Sequence, residues 1–533
     1  MSDKSDNKDT ITKRSFLQSV GMIGGTAAMM TTLSSWNMSM ASTMTAPPKM
    51  SSDGKGKKVL ILGAGISGLV CAMELLKKGY DVKIIEAKDH AGGRCMSARK
   101  GTVIEDVGGE TQVCDFDHNQ YLNVGPWRIP AQHHSTIYYC RKLGVSLEPF
   151  INKTSRAYYY QSKGEGPLVG KPLRQSDIDL DRSGHVSELL AKCVTGGALD
   201  EKLNKEDQEQ LLEYLKATGL IDRKELDYHA NLIRGWENMP TVGTDMGKLS
   251  DPYALKELLK VKVGARYEDD EHSPLMFQPA GGMDQIPRAM EAALPKGIIR
   301  FNSEITQITQ TDNSVSVTYK DTKSGKVEIA IADYAISCLI FPALNKIKTD
   351  FRADVISGIK APASSPIVKQ GHQFSERFWE TEEQIFGGIT RNDIPESGTI
   401  SYPSSELFGT NGGVVLTAYA RSGTAVRLGT MSIKARLEKG LEIGELIHPE
   451  RFRKYYNGKG VSMAWHKQKY ALAAWVTWSK RNIGLKMPAL MKGENRVLFS
   501  GNGMAPFHQG WMFAAIEAAW HSIEDLDKRV GKG

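Results

Sequence analysis

The stretch from Lys57 to Arg94, KKVLILGAGISGLVCAMELLKKGYDVKIIEAKDHAGGR, leaves the chain few folds to choose from. Its apolar run Val59 to Leu62 predicts a strand, Gly63-Ala64-Gly65-Ile66-Ser67-Gly68 a tight turn, and the alanine- and leucine-rich segment ending at Gly79 a helix. A second apolar run, Val82 to Ile85, predicts a parallel partner strand, so the whole is a βαβ unit. The three glycines have separate jobs: Gly63 permits the turn, Gly65 lets a pyrophosphate approach the backbone, and Gly68 lets the helix pack on the strand. Free N–H groups and the helix dipole then face an anion, with Ser67 on the first turn. Glu86 closes the second strand where a carboxylate accepts both hydroxyls of a ribose, with Ala87 beside it. Strand, turn, helix and acid together predict dinucleotide binding.

Gly92-Gly93-Arg94 follows the second strand, and there the sequence resembles the flavin-containing amine oxidase family. The resemblance implies that Gly93 and Arg94 lie against the pyrophosphate of FAD. It also implies an α/β fold of the glutathione-reductase-like kind: a Rossmann-like FAD-binding domain, a substrate domain on a mixed β-sheet, and a helical insertion. Gln120 to Pro130, QYLNVGPWRIP, resembles a segment of the L-amino acid oxidases within that family. There the Gly125-Pro126 turn, with Trp127, lies against the flavin and Arg128 grips the substrate carboxylate. A planar guanidinium makes two parallel charge-assisted hydrogen bonds to a carboxylate, fixing orientation as well as affinity. Amines and polyamines offer no carboxylate, so an arginine here favours amino acids.

Further motifs follow in family order. Gly281-Gly282-Met283-Asp284-Gln285-Ile286-Pro287 resembles the turn and helix start that return the chain to the FAD domain, and Ile298 to Ile308 reads as strands. By position, the backbone near Ile305 is expected at the adenine. Val315, Val317 and Tyr319, then Val327, Ile329 and Ile331, alternate with polar residues around Ser324-Gly325, predicting a β-hairpin with one buried face. Tyr334 to Ser337 reads as a short buried strand. Lys369, ahead of Phe378-Trp379, matches the family lysine that holds a water over flavin N5 and assists reaction with oxygen. Ile400-Ser401-Tyr402-Pro403 resembles the segment whose tyrosine adds a second hydrogen bond to the carboxylate. Trp465, Trp475 and Trp478 can wall a substrate cavity tolerant of aromatic side chains.

At the carboxyl end, Val497 to Phe499 reads as a strand, Ser500-Gly501 as a turn, and Gly510-Trp511-Met512 as the start of a helix. In the family this helix start faces the flavin pyrimidine ring, where its partial positive charge favours the reduced anion. Gly510 and Trp511 are expected at cofactor and substrate, Gly501 and Asn502 at the ribityl chain. Asn502 stands where the family has an acid and Ala515 where it has threonine. No cysteine lies near this turn, so the FAD is expected to be non-covalent.

Other regions carry less chemistry. From His133 to about Tyr267 the pattern is helical: Asn204 can cap a segment placing Leu211, Leu212 and Leu215 on one face, and Gly219 can end it. A net charge of +7 without a clustered basic face argues against nucleic acid. No stretch reaches the roughly 20 apolar residues of a membrane span, so no stable membrane anchor is expected. The cysteines at 71, 95, 114, 140, 193 and 338 lack metal spacing, and no metal site is predicted. Thr12 to Gln18, TKRSFLQ, resembles a twin-arginine export motif with Lys13-Arg14 as its basic pair, and a small-residue cleavage site near Ser39 to Ala41 suits it. Folded structure is expected from about Lys57.

The expected organisation is a signal and linker at 1–50, an FAD-binding domain in three parts at 57–120, 278–340 and 491–528, a substrate domain at 121–150 and 341–490, and the helical insertion at 151–270. The resemblance implies an exported, periplasmic or secreted, FAD-dependent L-amino acid oxidase. Its substrates would be an L-amino acid and molecular oxygen, its products a 2-oxo acid, ammonia and hydrogen peroxide. Two alternatives stay open on the same fold: an oxidative decarboxylase of the tryptophan monooxygenase kind, and an amine or polyamine oxidase. A flavin-binding protein without turnover is the alternative outside enzymes. Pairing is common in the family, so a homodimer is the implied assembly, although the sequence marks no interface.

Overall fold

A computed structural model describes residues 44–265, 272 and 275–531. The export motif at Thr12 to Gln18, the site near Ser39 to Ala41 and Tyr267 lie outside the described residues.

Strand β1 (Lys58–Leu62), helix α1 (Ile66–Leu76) and strand β2 (Asp81–Ile85) form the expected unit. They sit in a five-stranded parallel sheet in the order Ile299–Arg300, β2, β1, Tyr334–Ser337, Val497–Phe499. A sheet covered on both faces needs apolar residues in both phases of its strands. Val59, Ile61, Ile336 and Leu498 face α1 and the carboxyl-terminal helix Met512–Val530. Leu60, Leu62, Ala335 and Phe499 face the opposite layer, built from the Ser303–Gln310, Val315–Asp321 and Val327–Ala332 strands and short helices near 341–360. The chain docks earlier than expected, because Asp527 of the last helix accepts the Ser51 N–H (2.7 Å) and the Ser52 N–H (3.0 Å).

The predicted hairpin forms, with its second strand in the opposite phase. Val315 and Val317 lie opposite Ala332 and Ala330, and Tyr319 opposite Glu328, so these share the buried face. Val327, Ile329 and Ile331 share the outer face with Lys320, Thr318 and Ser316 and are about 60% exposed. Alternation specifies a strand but not which phase faces the core.

The second lobe rests on a seven-stranded sheet in the order Pro172–Arg174, Tyr158–Tyr160, Ile389–Asn392, Thr399–Ser401, Gly413–Arg421, Ile367–Phe374, Tyr456–Ala464. All its pairs are antiparallel except Tyr158–Tyr160 with Ile389–Asn392. The span from His133 is therefore less helical than its pattern suggested. After the helix His134–Lys142, the chain supplies strands at Leu147–Phe150, Tyr158–Tyr160 and Pro172–Arg174, and helix resumes only at Gln175–Thr195. Of the two partners of the Tyr158–Tyr160 strand, Pro172–Arg174 is near in sequence, but Ile389–Asn392, which joins it to the rest of the sheet, lies more than two hundred residues away, out of reach of local periodicity. In the helix Lys205–Ala217, the Asn204 side chain accepts the Asp207 N–H, and Gly219 follows in the left-handed region at φ +73°.

Candidate functional site

A cavity of about 700 Å³ runs between the two lobes. One end is built by the β1–α1 turn. Gly63 has φ +99° and donates its N–H to the Ile85 carbonyl (2.9 Å). Helix α1 starts at Gly65 with no side-chain cap and no acid in its first turn, so its leading N–H groups and dipole remain available to an anion. Gly65 and Gly93 both line this end, and a Cβ on Gly93 would stand 3.3 Å from the Gly65 Cα. Ser67 lines it too, its Oγ 2.7 Å from the Ser500 Oγ.

Arg94 supplies the matching charge. Its Nη1 donates to the Ala474 carbonyl (2.7 Å), and among the described residues no carboxylate lies within ion-pair distance. Burial lowers its guanidinium from the usual arginine range to about 10. A desolvated cation on a cavity wall is costly unless an anion completes it. Beyond it, Glu86 accepts the Ala64 N–H (2.7 Å) and the Lys88 N–H (2.8 Å), which fixes the carboxylate while leaving lone pairs for hydroxyl donors. Ala87 and Ile305 continue this wall, and the Glu304–Lys469 ion pair (2.9 Å) lies beside them.

The middle of the cavity is closed by Gly125, Pro126, Gly501 and the start of the carboxyl-terminal helix. A Cβ on Gly125 would fall 2.0 Å from the Arg94 carbonyl oxygen, so the glycine lets the two segments meet. The helix begins after Trp511 with no side-chain cap, and Gly510, Trp511 and Met512 face the cavity. Asn502 donates to the Trp511 carbonyl (3.2 Å), while its buried Oδ1 has no hydrogen-bond partner among the described residues. An elongated cofactor with an anionic centre and hydroxyl groups fits this donor set.

At the far end Arg128 is buried, its Nη1 donating to the Asn152 Oδ1, its guanidinium over the rings of Trp127 (5.0 Å) and Trp511 (6.0 Å). Asn152 in turn donates to the His272 carbonyl (3.0 Å). Lys369 stands nearby on the strand Ile367–Phe374, donating to the Gly125 carbonyl and to that of Asn123 (3.3 Å), its Nζ 4.9 Å from the Trp127 ring centre and 5.0 Å from that of Tyr419. Burial, followed by the Arg128 and Arg421 charges, pushes its ammonium well below the usual lysine range. Trp475 closes the wall near Gly510.

Three expected residues are not at the cavity. Trp478 is buried in the core beside the parallel sheet, its Nε1 donating to the Gly503 carbonyl (2.8 Å). Gly68 lies behind the turn, where a Cβ would stand 2.0 Å from the Gly63 carbonyl oxygen; it supports the site through helix–strand packing. Tyr402 is fully buried, its hydroxyl 2.8 Å from both the Thr390 Oγ1 and the His448 Nε2, and His448 is held in turn by Glu383 (2.7 Å). Tyr419, on the strand Gly413–Arg421, does face the cavity, beside Lys369. Tyr419 pairs across the sheet with Lys369, and Arg421 with Ile367, so all four share one face. Sequence reasoning missed Tyr419 and Arg421, although the period-two spacing of Thr417, Tyr419 and Arg421 was readable.

Comparison with known proteins bears on this geometry. A profile described as "Flavin containing amine oxidoreductase" matches residues 66–523. Among characterised relatives, an L-amino-acid oxidase of Sistrurus catenatus edwardsii is 25% identical over 492 residues, covering 89% of this chain and 87% of its own. One from Vipera ammodytes ammodytes is 26% identical over 494 residues, covering 89% and 93%. In fold the chain is similar to cyclohexylamine oxidase from Brevibacterium oxydans IH-35A, with a TM-score of 0.58, 14% identity, and coverage of 89% of this chain and 99% of that one. A double mutant of putrescine oxidase gives a TM-score of 0.58 at 15% identity, covering 88% and 98%. The fold is thus shared, and this chain belongs to the flavin-containing amine oxidoreductase family.

Proposed function

We propose that the chain is a FAD-dependent L-amino acid oxidase that holds its cofactor without a covalent link. The observation that carries this reading is Arg128, a buried guanidinium at the end of the cavity opposite the anion cradle, positioned by Asn152 between the rings of Trp127 and Trp511. The relatives named as L-amino-acid oxidases over 89% of the chain support it. Gly65, Gly93 and Arg94 would hold the pyrophosphate, Glu86 the adenosine ribose, Asn502 the ribityl chain, and the start of the Met512–Val530 helix the pyrimidine ring. A bound flavin supplies a two-electron acceptor for the substrate Cα–H and is reoxidised by oxygen to give hydrogen peroxide.

The chain's own residues supply orientation. Arg128 takes the α-carboxylate in a bidentate grip, and the Trp127, Tyr419, Trp475 and Trp511 rings exclude water from the Cα. Lys369, with its ammonium disfavoured by burial, presents an Nζ that can hydrogen-bond a water without adding a fixed charge. The oxidised substrate is an imino acid, which water hydrolyses to the 2-oxo acid and ammonia.

Peroxide release from the flavin-loaded protein against a panel of L-amino acids, their D enantiomers and amines tests the reading. Turnover confined to L-amino acids, with equal 2-oxo acid and ammonia, is expected. Arg128→Ala should lower kcat/KM about a hundredfold or more, the loss of two charge-assisted hydrogen bonds. Turnover of amines alone, surviving that substitution, would overturn it, and carbon dioxide with an amide product would mark an oxidative decarboxylase.

A further inference from the structure

The strand Gly413–Arg421 brings a second guanidinium to the substrate end of the cavity. Arg421 is exposed, lines the cavity wall, and lies with its guanidinium 4.6 Å from the ring centre of Tyr419. Tyr419 meets Trp127 edge-on at 5.4 Å, and Arg128 sits over the other ring of that pair, so the aromatic wall joins the two arginines. The Lys369 Nζ lies 4.9 Å from the Trp127 ring centre and 5.0 Å from that of Tyr419, the rings that carry the two guanidinium groups, so both arginines flank the same volume. Among the described residues Arg421 has no carboxylate within ion-pair distance. The carboxylates of the described cavity wall, Glu86 and Glu304, lie at the dinucleotide end and are already engaged by backbone N–H groups and by Lys469. A guanidinium stacked on an aromatic ring has its donor edge free for a planar acceptor.

We propose that Arg421 is a second anion anchor, and that the preferred substrates are L-amino acids whose side chains end in a carboxylate. This rests on the reading of the chain as an L-amino acid oxidase: Arg128 takes the α-carboxylate and Arg421 the distal one. Neutral side chains lose that contact, and cationic side chains meet a like charge.

L-glutamate and L-glutamine differ in charge at nearly constant shape, so their ratio of kcat/KM isolates the contact. In the flavin-loaded protein the ratio is expected to exceed about ten, the effect of one partly solvated charge-assisted pair, with L-lysine the poorest of the three. Arg421→Gln should bring the ratio toward one, and Arg421→Lys should keep most of it. A ratio near or below one in the unsubstituted protein, with neutral L-amino acids still oxidised, overturns the role of Arg421 and leaves the oxidase reading intact. A high ratio that Arg421→Gln does not change also overturns it. Absence of turnover with every L-amino acid overturns both readings.

Discussion

At Gly65 an added Cβ would meet nothing within 4 Å, whereas at Gly68 it would lie 2.0 Å from the Gly63 carbonyl oxygen. Gly65 also has φ −72° and ψ 176°, which alanine adopts without strain. Its lack of a side chain therefore serves the cavity, and that of Gly68 serves the fold. Gly68→Ala should destabilise the protein by about 1–3 kcal/mol or more, since the clash is with backbone. Gly65→Ala should leave the melting temperature of the flavin-free protein unchanged while weakening flavin binding, because the methyl group occupies the approach of the phosphates. Melting curves of both variants, with flavin content after purification, check this; a flavin-free Gly65→Ala protein as unstable as Gly68→Ala would contradict the division. Such roles were legible because the glycines, Glu86 and Arg94 act within one short segment. Tyr402 was misread because its motif fixes its place in the chain, while Thr390 on the neighbouring strand and His448, brought in from further along the chain, fix where its hydroxyl points. Arg421 was missed because nothing local marks the end of a strand as a cavity wall.

The strand Ile367–Phe374 is buried along its whole length, between the strands Gly413–Arg421 and Tyr456–Ala464. It carries Lys369 on the face toward the cavity and His372 toward the helix Ile433–Ile447. The His372 Nε2 donates to the Leu437 carbonyl (3.0 Å) and its Nδ1 accepts from the Thr417 hydroxyl (2.8 Å), which suits a neutral ring. Burial pulls its pKa from the ordinary histidine value to about 4. The unfolded chain, titrating near 6.5, therefore binds more protons between the two values. Stability is fully present above about pH 6.5 and is lost as pH falls toward 4, by about 3 kcal/mol in total. His372→Gln should flatten the decline of melting temperature over that window, and an unaltered slope would show that the ring titrates normally. The sequence shows this element as a lysine ahead of a Phe-Trp pair. It does not show the two-sided burial, which comes from strands and a helix contributed forty to ninety residues downstream.

At the scale of the molecule, the parallel sheet was legible because all its strands but the edge pair Ile299–Arg300 carry apolar residues in both phases. The seven-stranded sheet was not, because it joins Tyr158–Tyr160 to Ile389–Asn392 across more than two hundred residues of intervening chain. The cavity inherits this long-range assembly. Its walls come from the β1–α1 turn, the Gly125 turn, Ile305, the Lys369 and Tyr419 strands and the last helix, so a ligand that touches them all ties the two lobes together. A ligand that binds only the folded state stabilises it by RT ln(1 + [L]/Kd), about 2.7 kcal/mol at a hundredfold excess over Kd. Arg94 and the start of α1, both able to hold an anion, lie at one end of the cavity, apart from Arg128 at the other. On the proposed reading FAD spans both regions, and it should raise the melting temperature of the flavin-free protein steadily with the logarithm of its concentration. FMN and riboflavin, lacking the pyrophosphate and the adenosine, should raise it much less at equal concentration. Gly65→Ala should narrow that gap, since it removes only the contact that FAD makes at the turn. Equal protection by FMN and FAD would mean that Arg94 and the glycine turn do not hold a pyrophosphate, and that the stabilising contacts lie at the isoalloxazine end alone.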